Sequence, residues 1–333
     1  MARATAKATI TDVAKHAGVS LSTVSRVMNG NPSVDPALAE RVRGVATELG
    51  YTASPLARSL VLGRTQTVAV VVPDLGNPTF QAVLRGLSRA AATDGYHVLI
   101  ADSAEQVAEE RLLAVETRRR TDGLILCAPR MPDDELAMLL PEVRPVVLVN
   151  RGMDAAVPSI AADYATALRG LIDHLYSLGH RRIAYLAGVA RSASNTARLA
   201  ALSGFRAAHP EVELIELASG VDFDSGAAAA DAVLGSRATA VLAFNDLVAM
   251  GLLSAVSDRG IRVPDDLSIT GFDDIPFARY TSPPLTTASV PAADLGALAW
   301  QALHATLTGE EAAASVRLEP EVVVRGSTGP PTS

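Results

Sequence analysis

The chain has 333 residues, 49% hydrophobic and 20% charged, which is enough apolar material for buried cores in two or three domains and excludes a disordered chain. No run approaches the ~18–20 uninterrupted apolar residues of a membrane helix, and the single cysteine, Cys127, excludes an internal disulfide. The net charge of −7 argues against a nucleic-acid partner only until the chain is divided. Residues 1–64 hold eight cations (Arg3, Lys7, Lys15, Arg26, Arg41, Arg43, Arg58, Arg64) against Asp12, Asp35, Glu40 and Glu48, a balance of +4 that leaves −11 for the rest. A basic head on an acidic body suits a head that meets phosphates and a body that avoids them.

The N-terminus, MARATAKATITD, has no apolar signal core, so a cytoplasmic location is expected. From Ile10 the stretch ITDVAKHAGVSLSTVSRVMNG reads as two short helices around a tight turn. Asp12 to Ala17 carry the first, with Val13, Ala14 and Ala17 on one face. Gly18 can take the left-handed conformation that ends it, and Ser20 supplies the cap oxygen for the second, Leu21 to Met28. Val24 and Val27 point inward there, leaving Ser22, Thr23, Ser25 and Arg26 on a polar side. A short polar helix after such a turn is what a helix-turn-helix needs to reach base edges. Asp35 and Pro36 open a third helix, with Leu38, Val42, Val45 and Leu49 as its stripe and Gly50 as its stop.

Ser54 and Pro55 announce a fourth helix that carries Leu56 and Leu60 and ends at Gly63. It is shorter than the ~12–15 residues needed for marginal stability alone, so it is either a linker with accidental helix signals or a hinge that folds only against a partner. From Thr65, apolar runs recur at Val68–Val72, His97–Ile100, Leu124–Cys127, Val146–Val149, Ile183–Leu186, Ala240–Phe244 and Leu267–Thr270. Amphipathic segments at Phe80–Asp94, Glu105–Arg120, Ala165–Leu178 and Leu247–Arg259 lie between several of them. This alternation means βαβ units and parallel sheets. The runs exceed one small sheet, so two lobes are expected, with the change near Ile160–Asp163. Ala292–Leu307 reads as a helix crossing back to the first lobe, and the terminal STGPPTS as disordered.

The motifs of several enzyme classes are missing. The chain has no G-x-x-x-x-G-K-[ST] and no G-x-G-x-x-G after Val68–Val72. The six histidines form no H-x-x-x-H pair, and the adjacent pairs Asp133–Asp134, Asp265–Asp266 and Asp273–Asp274 are poor evidence of acid–base catalysis. Neither an enzymatic activity nor a cofactor or metal is expected.

The helix-turn-helix stretch, SPLARSL, LGHRRIAYLAG, the pair Asn245–Asp246 in AFNDLVAMG, GFDD at 271–274 and PPLTT at 283–287 together resemble the LacI/GalR repressors. The resemblance implies an all-α helix-turn-helix head over residues 1–53, a hinge helix and linker over 54–64, and an effector-binding and dimerisation body over 65–333. The body would be a two-lobed α/β unit like periplasmic sugar-binding proteins, with parallel sheets flanked by helices. Lobe 1 would hold about 65–161 plus part of 291–320, and lobe 2 about 162–290 plus a C-terminal strand. It also implies a homodimer on a near-palindromic double-stranded DNA operator, controlled by a small molecule for which a sugar is the expected class.

Carried over position by position, recognition falls on Leu21, Ser22 and Arg26, with Ser20 and Thr23 near the backbone. Arg26 can donate twice to guanine, and Thr11, Ser20 and Asn29 suit phosphates. Leu60 matches a minor-groove wedge, with Arg58 beside it; the alternative for Leu60 is packing between hinge and body. The effector cleft is expected between the lobes at the strand C-termini, with Asp74, Thr79, Phe80, Asn150 and Arg151 from lobe 1 and Asp163, Arg198, Asn245 and Asp273 from lobe 2. Two departures stand out. Arg198 lies six residues before Gly204, further than the family's usual spacing, which leaves Arg191 as its rival. Val221 stands where the family usually has an aromatic, with Phe223 three residues before Gly226. The body alone would also suit a solute-binding protein of a transporter, and the alternation a Rossmann-type enzyme; the basic head and the missing glycine fingerprint argue against these.

Overall fold

The structure is a computed structural model and describes residues 8–30, 33–52, 63–153, 157–311 and 315–332. The chain divides into two compact units, Met1–Gln66 and Thr67–Ser333. The first is helical. Its opening helix, Ile10–Ala17, starts two residues before the expected Asp12 because Thr9 and Asp12 form a reciprocal capping box. Such a cap contributes on the order of 1 kcal/mol. Gly18 ends the helix at φ 66°, a left-handed turn that costs any other residue strain. Ser20 caps Leu21–Met28, and Asp35 caps Pro36–Glu48. On the third helix the buried stripe is Ala39, Val42 and Ala46, with Val45 and Leu49 half-buried beside it. These small residues close on Val13, Ala14, Ala17, Val24 and Val27 as one core. The proposed hinge, with Arg58 and Leu60, lies outside the described residues.

In the second unit, two parallel sheets carry the architecture. The strands in chain order are β1 (Thr67–Val72), β2 (His97–Asp102), β3 (Gly123–Cys127), β4 (Val146–Val149), β5 (Ser159–Ala162), β6 (Arg182–Ala187), β7 (Glu213–Ala218), β8 (Ala240–Ala243), β9 (Ser268–Thr270), β10 (Thr287–Ser289), β11 (Ser315–Leu318) and β12 (Glu321–Val323). Among the described residues, lobe 1 is the six-stranded sheet β11-β5-β4-β3-β1-β2, and lobe 2 the four-stranded sheet β7-β6-β8-β9. The antiparallel pair β10–β12 lies next to β9, through bridges from Thr270 to Thr286 and from Asp273 to Ser289. The buried runs β1 (from Val68), β3, β4 and β8 are the continuous apolar stretches a two-sided parallel sheet requires.

The chain crosses between lobes after β5, before the helix Ala292–Thr308, and between β11 and β12. Ala292–Thr308 returns to lobe 1 and packs on Pro78–Thr93. The approach is so close that a Cβ at Gly86 would meet the Ala293 carbonyl, and one at Gly296 the Val83 carbonyl. One cluster of buried residues runs through both lobes, from Val68 and Leu87 to Leu168, Tyr185 and Phe205. No described helix is long and apolar enough to cross a membrane.

The expectation of a disordered end is overturned. Ser327 is fully buried, accepts from the Thr286 N–H at 2.8 Å and donates to the Ile269 carbonyl at 2.6 Å. The Gly329 carbonyl lies 2.9 Å from His180 Nε2. A Ser/Thr/Pro composition signals a loop when it must satisfy itself, but here the open edge of β9 supplies the partners.

Candidate functional site

In the head, the helix Leu21–Met28 presents a polar outer side. Ser20 Oγ accepts from the Thr23 N–H at 3.2 Å and lies 2.8 Å from the Ser22 hydroxyl. Leu21 is 49% exposed, a large apolar side chain held in water at the first position of the helix. Arg26 Nε donates to the Ser22 carbonyl at 3.3 Å, which lays the guanidinium along its own helix. Thr11 is exposed, whereas Asn29 is half-buried and donates to the Ser25 hydroxyl at 3.4 Å.

In the body, a narrow cleft opens between the sheets. Each of the nine strands β1–β9 delivers at least one lining residue just after its C-terminal end, from Thr79 and Phe80 after β1 to Asp273 after β9. Open parallel sheets place ligands at this crevice because the loops there converge from both halves. Backbone strain collects there too. Among the described residues eight non-glycines have positive φ, and four of them, Glu105, Ala128, Asn150 and Asp273, line this cleft. Strain of ~1–3 kcal/mol per residue persists only where the surrounding structure enforces it, and such sites are concentrated at ligand clamps.

Arg198 dominates the lobe-2 wall. It is 1% exposed, with its guanidinium carbon 4.0 Å from the Phe272 ring centre, 4.5 Å from Phe244 and 4.7 Å from Tyr164. Nη1 donates to the Ser194 hydroxyl at 3.1 Å, and Nε has no hydrogen-bond partner among the described residues. The three ring faces offset part of the desolvation cost of a buried cation, but each such contact supplies only ~2 kcal/mol when desolvated. An unsatisfied donor in a buried cation marks a place where a ligand acceptor would be worth most.

Asp273 faces the same space. It accepts from the Thr79 hydroxyl at 2.8 Å, and burial pushes its carboxyl up to about 6, against the lowering effects of Arg198 and that hydroxyl. Behind it, Asp246 accepts from the Thr287 hydroxyl at 2.6 Å and the Ile275 N–H at 2.8 Å, which pins the 271–275 loop. Burial, then the nearby charge of Asp273, holds the Asp246 carboxyl well above the usual range. Asn245 caps the helix Asp246–Ser257 with its amide oxygen and donates to the Val221 carbonyl at 2.8 Å, so much of its hydrogen-bonding capacity is used in the loop.

Thr79, Phe80, Asn150, Arg198, Asn245 and Asp273 thus come together in one lining. Three other expected residues are not part of it. Asp74 accepts from the Gly76 N–H at 2.7 Å and holds its own turn. Asp163 caps the helix Tyr164–Ser177 through the Thr166 N–H. Arg151 donates to the Pro129 and Met131 carbonyls and to Asp133, and lines a second cavity beside the cleft. Of the two rival arginines, Arg198 enters the cleft and Arg191 the second cavity. Val221, where an aromatic was missed, does line the cleft, and Phe223 is 45% exposed.

The reading from sequence missed Asn77, Glu105, Arg130, Tyr164, Ser192, Ser194 and Phe244. A usable signal existed. Glu105 and Arg130 each lie three residues past a strand and Phe244 one, the positions from which a parallel strand feeds a crevice. Glu105 and Arg130 pair in two parallel contacts of 2.9 and 3.0 Å.

Comparison with known proteins agrees with this anatomy. A family model for "bacterial regulatory proteins, lacI family" matches residues 9–54, and one for a "periplasmic binding protein-like domain" matches residues 172–328. The chain is 33% identical over 328 residues to the HTH-type transcriptional repressor CytR of Escherichia coli K12, covering 96% of each. A lac repressor dimer bound to operator and the anti-inducer ONPF superposes with a TM-score of 0.89 at 26% identity, covering 97% of this chain and 99% of that one. A complex of the transcriptional regulator CelR with cellobiose gives 0.72 at 29% identity, covering 96% and 99%.

Proposed function

The chain belongs to the lacI family of bacterial regulatory proteins, and from that premise we propose that it is a repressor whose grip on its operator is set by a sugar held between the two lobes of its body. It is a DNA-binding transcriptional regulator, with a helix-turn-helix head and a periplasmic-binding-protein-like body. The observation that carries the ligand reading is Arg198, a buried guanidinium with an unmade hydrogen bond in a cleft lined also by Asp273, Phe80, Tyr164 and Phe244. Sugar hydroxyls both donate and accept, so they complement a carboxylate and a guanidinium at once, and a sugar's apolar face suits an aromatic wall. CelR, a structural neighbour, is in complex with cellobiose.

On the DNA side, Arg26, Ser22 and Leu21 reach base edges, Ser20 and Thr23 lie at the backbone, and Thr11 and Asn29 meet phosphates. Leu60, with Arg58 beside it, is the minor-groove wedge of a hinge that pairs across a homodimer on a near-palindromic site. The ligand changes the angle between the lobes, and the hinge helices are thereby separated or brought together. Either sign is a coupling of typically ~1–3 kcal/mol. The work of regulation is done in the cytoplasm, where the operator is. A solute-binding protein would share the body but has no use for the head.

The test is a thermal-shift screen of sugars, nucleobases and amino acids, with operator affinity measured beside each hit. A hit that stabilises the protein and changes operator affinity supports the reading. Stabilisation with no change in operator affinity by any hit would refute the coupling.

A further inference from the structure

Beside the cleft lies a second cavity of about 400 Å³, and among the described residues Arg130 is the one that lines both. Its guanidinium is 6% exposed and held by the paired contacts with Glu105, so it forms the partition between the two spaces. Among the described residues, the second cavity is lined by three arginines, Arg130, Arg151 and Arg191, and one carboxylate, Asp133.

The state of each guanidinium decides what the cavity can take. Arg130 is neutralised by Glu105. Arg151 is 8% exposed and bonded to two carbonyls, and among the described residues its one anionic contact is Asp133 at 2.6 Å. The Asp133 side chain is 80% exposed, so water competes for that contact and an incoming anion can replace it. Arg191 is exposed and has no hydrogen bond or ion pair among the described residues. The cavity therefore holds one unengaged guanidinium and one whose anion is readily exchanged, facing a common space next to the cleft. Paired guanidiniums bind planar carboxylates and phosphate oxygens through parallel N–H donors.

We infer that this second cavity is an anion subsite adjoining the cleft at Arg130, and that the effector is a sugar bearing an anionic substituent, a carboxylate or a phosphate. The ring occupies the cleft between Arg198 and Asp273, and the substituent passes Arg130 to lie between Arg151 and Arg191. This rests on the cleft being the sugar site, and the experiment separates the two ideas.

Glucose, glucuronate, glucose 6-phosphate and inorganic phosphate are titrated into the full chain at constant ionic strength, with binding read by calorimetry. At least one anionic probe is expected to bind at least ~10-fold tighter than glucose, the gain of one charge-assisted hydrogen bond. That preference is expected to vanish in Arg191→Gln and to grow in Asp133→Asn. Glucuronate and glucose 6-phosphate, compared with each other, tell which anion the cavity prefers. No anionic preference in the wild type, or one that Arg191→Gln leaves intact, would overturn the inference. Asp273→Asn separates the readings: it should weaken the sugars and leave inorganic phosphate unchanged. If the sugars are also unchanged, the sugar cleft fails while the anion subsite stands; loss of phosphate binding in Asp273→Asn would overturn the subsite as a separate site.

Discussion

The Thr79 hydroxyl donates to the Asp273 carboxylate at 2.8 Å, joining the first helix of lobe 1 to the loop after β9 in lobe 2. It is a cross-lobe bond between two lining residues of the cleft, and the acceptor is a half-buried carboxyl raised to about 6. A ligand hydroxyl that enters competes with Thr79 for the same oxygen.

That carboxyl makes stability depend on pH in a definite sense. Its ordinary value is 3.8 and its folded value about 6, so between these the folded state binds more protons than the unfolded one. Asp273 therefore lowers stability as pH rises from about 4 to about 6, by up to ~3 kcal/mol. Asp273→Asn should raise the Tm of the body at pH 7 and flatten that part of the Tm–pH profile. An unchanged profile would mean that the carboxyl is solvated rather than buried.

Arg198→Met keeps most of the volume against Phe244, Phe272 and Tyr164 while removing a buried cation with an unmade bond. Replacing buried charge with packed apolar atoms is often stabilising by ~1–4 kcal/mol. The variant should melt higher than the wild type and show no ligand-induced shift. A lower Tm with ligand response intact would assign Arg198 to the scaffold instead.

In the head, Arg26→Ala removes an exposed side chain whose only bond among the described residues is to its own helix, so folding should change by less than ~0.5 kcal/mol. Discrimination at one base pair of the operator half-site should fall by ~1–3 kcal/mol. Competition among single-base operator variants measures this. If all variants keep their relative affinities, another residue reads that base.

Gly296→Ala tests the crossing of Pro78–Thr93 and Ala292–Thr308. Alanine in a helix interior ordinarily gains ~0.5–1 kcal/mol over glycine. Here the added Cβ would meet the Val83 carbonyl, so the helices must part and stability should fall by ~1–3 kcal/mol or more. Thermal unfolding reads the sign directly; a rise in Tm would mean that the helices are further apart than described.

Much of the fold was legible because its signals are local. Gly18, Ser20, Asp35 and Pro36 mark helix ends through atoms within three residues of themselves, and those ends were read within two residues. The continuous apolar strands were equally plain. Of the strands, β5, β7, β10, β11 and β12 carry no such run. β7 and β11 are edge strands of exposed and half-buried residues, β5 (SIAA) has a single branched apolar residue, and β10 (TAS) and β12 (EVV) are short, so none carries a continuous run of large apolar residues. In the cleft, Arg198 and Asp273 came from motif resemblance. Glu105 and Arg130 did not, because the side chain that turns inward from a loop depends on a partner elsewhere, here one 25 residues away.

Capping chemistry, apolar periodicity and the split of charge between head and body belong to the sequence by itself, since each is a property of neighbours along the chain. The tertiary structure alone decided three matters: that Asp74 holds a turn and Asp163 caps a helix while Tyr164 lines the cleft, that Ser327 is buried beneath an end composed like a loose tail, and that Arg130 borders two cavities at once. Each depends on a bond or a wall closed over long sequence separation, and such closures have no signature in local composition.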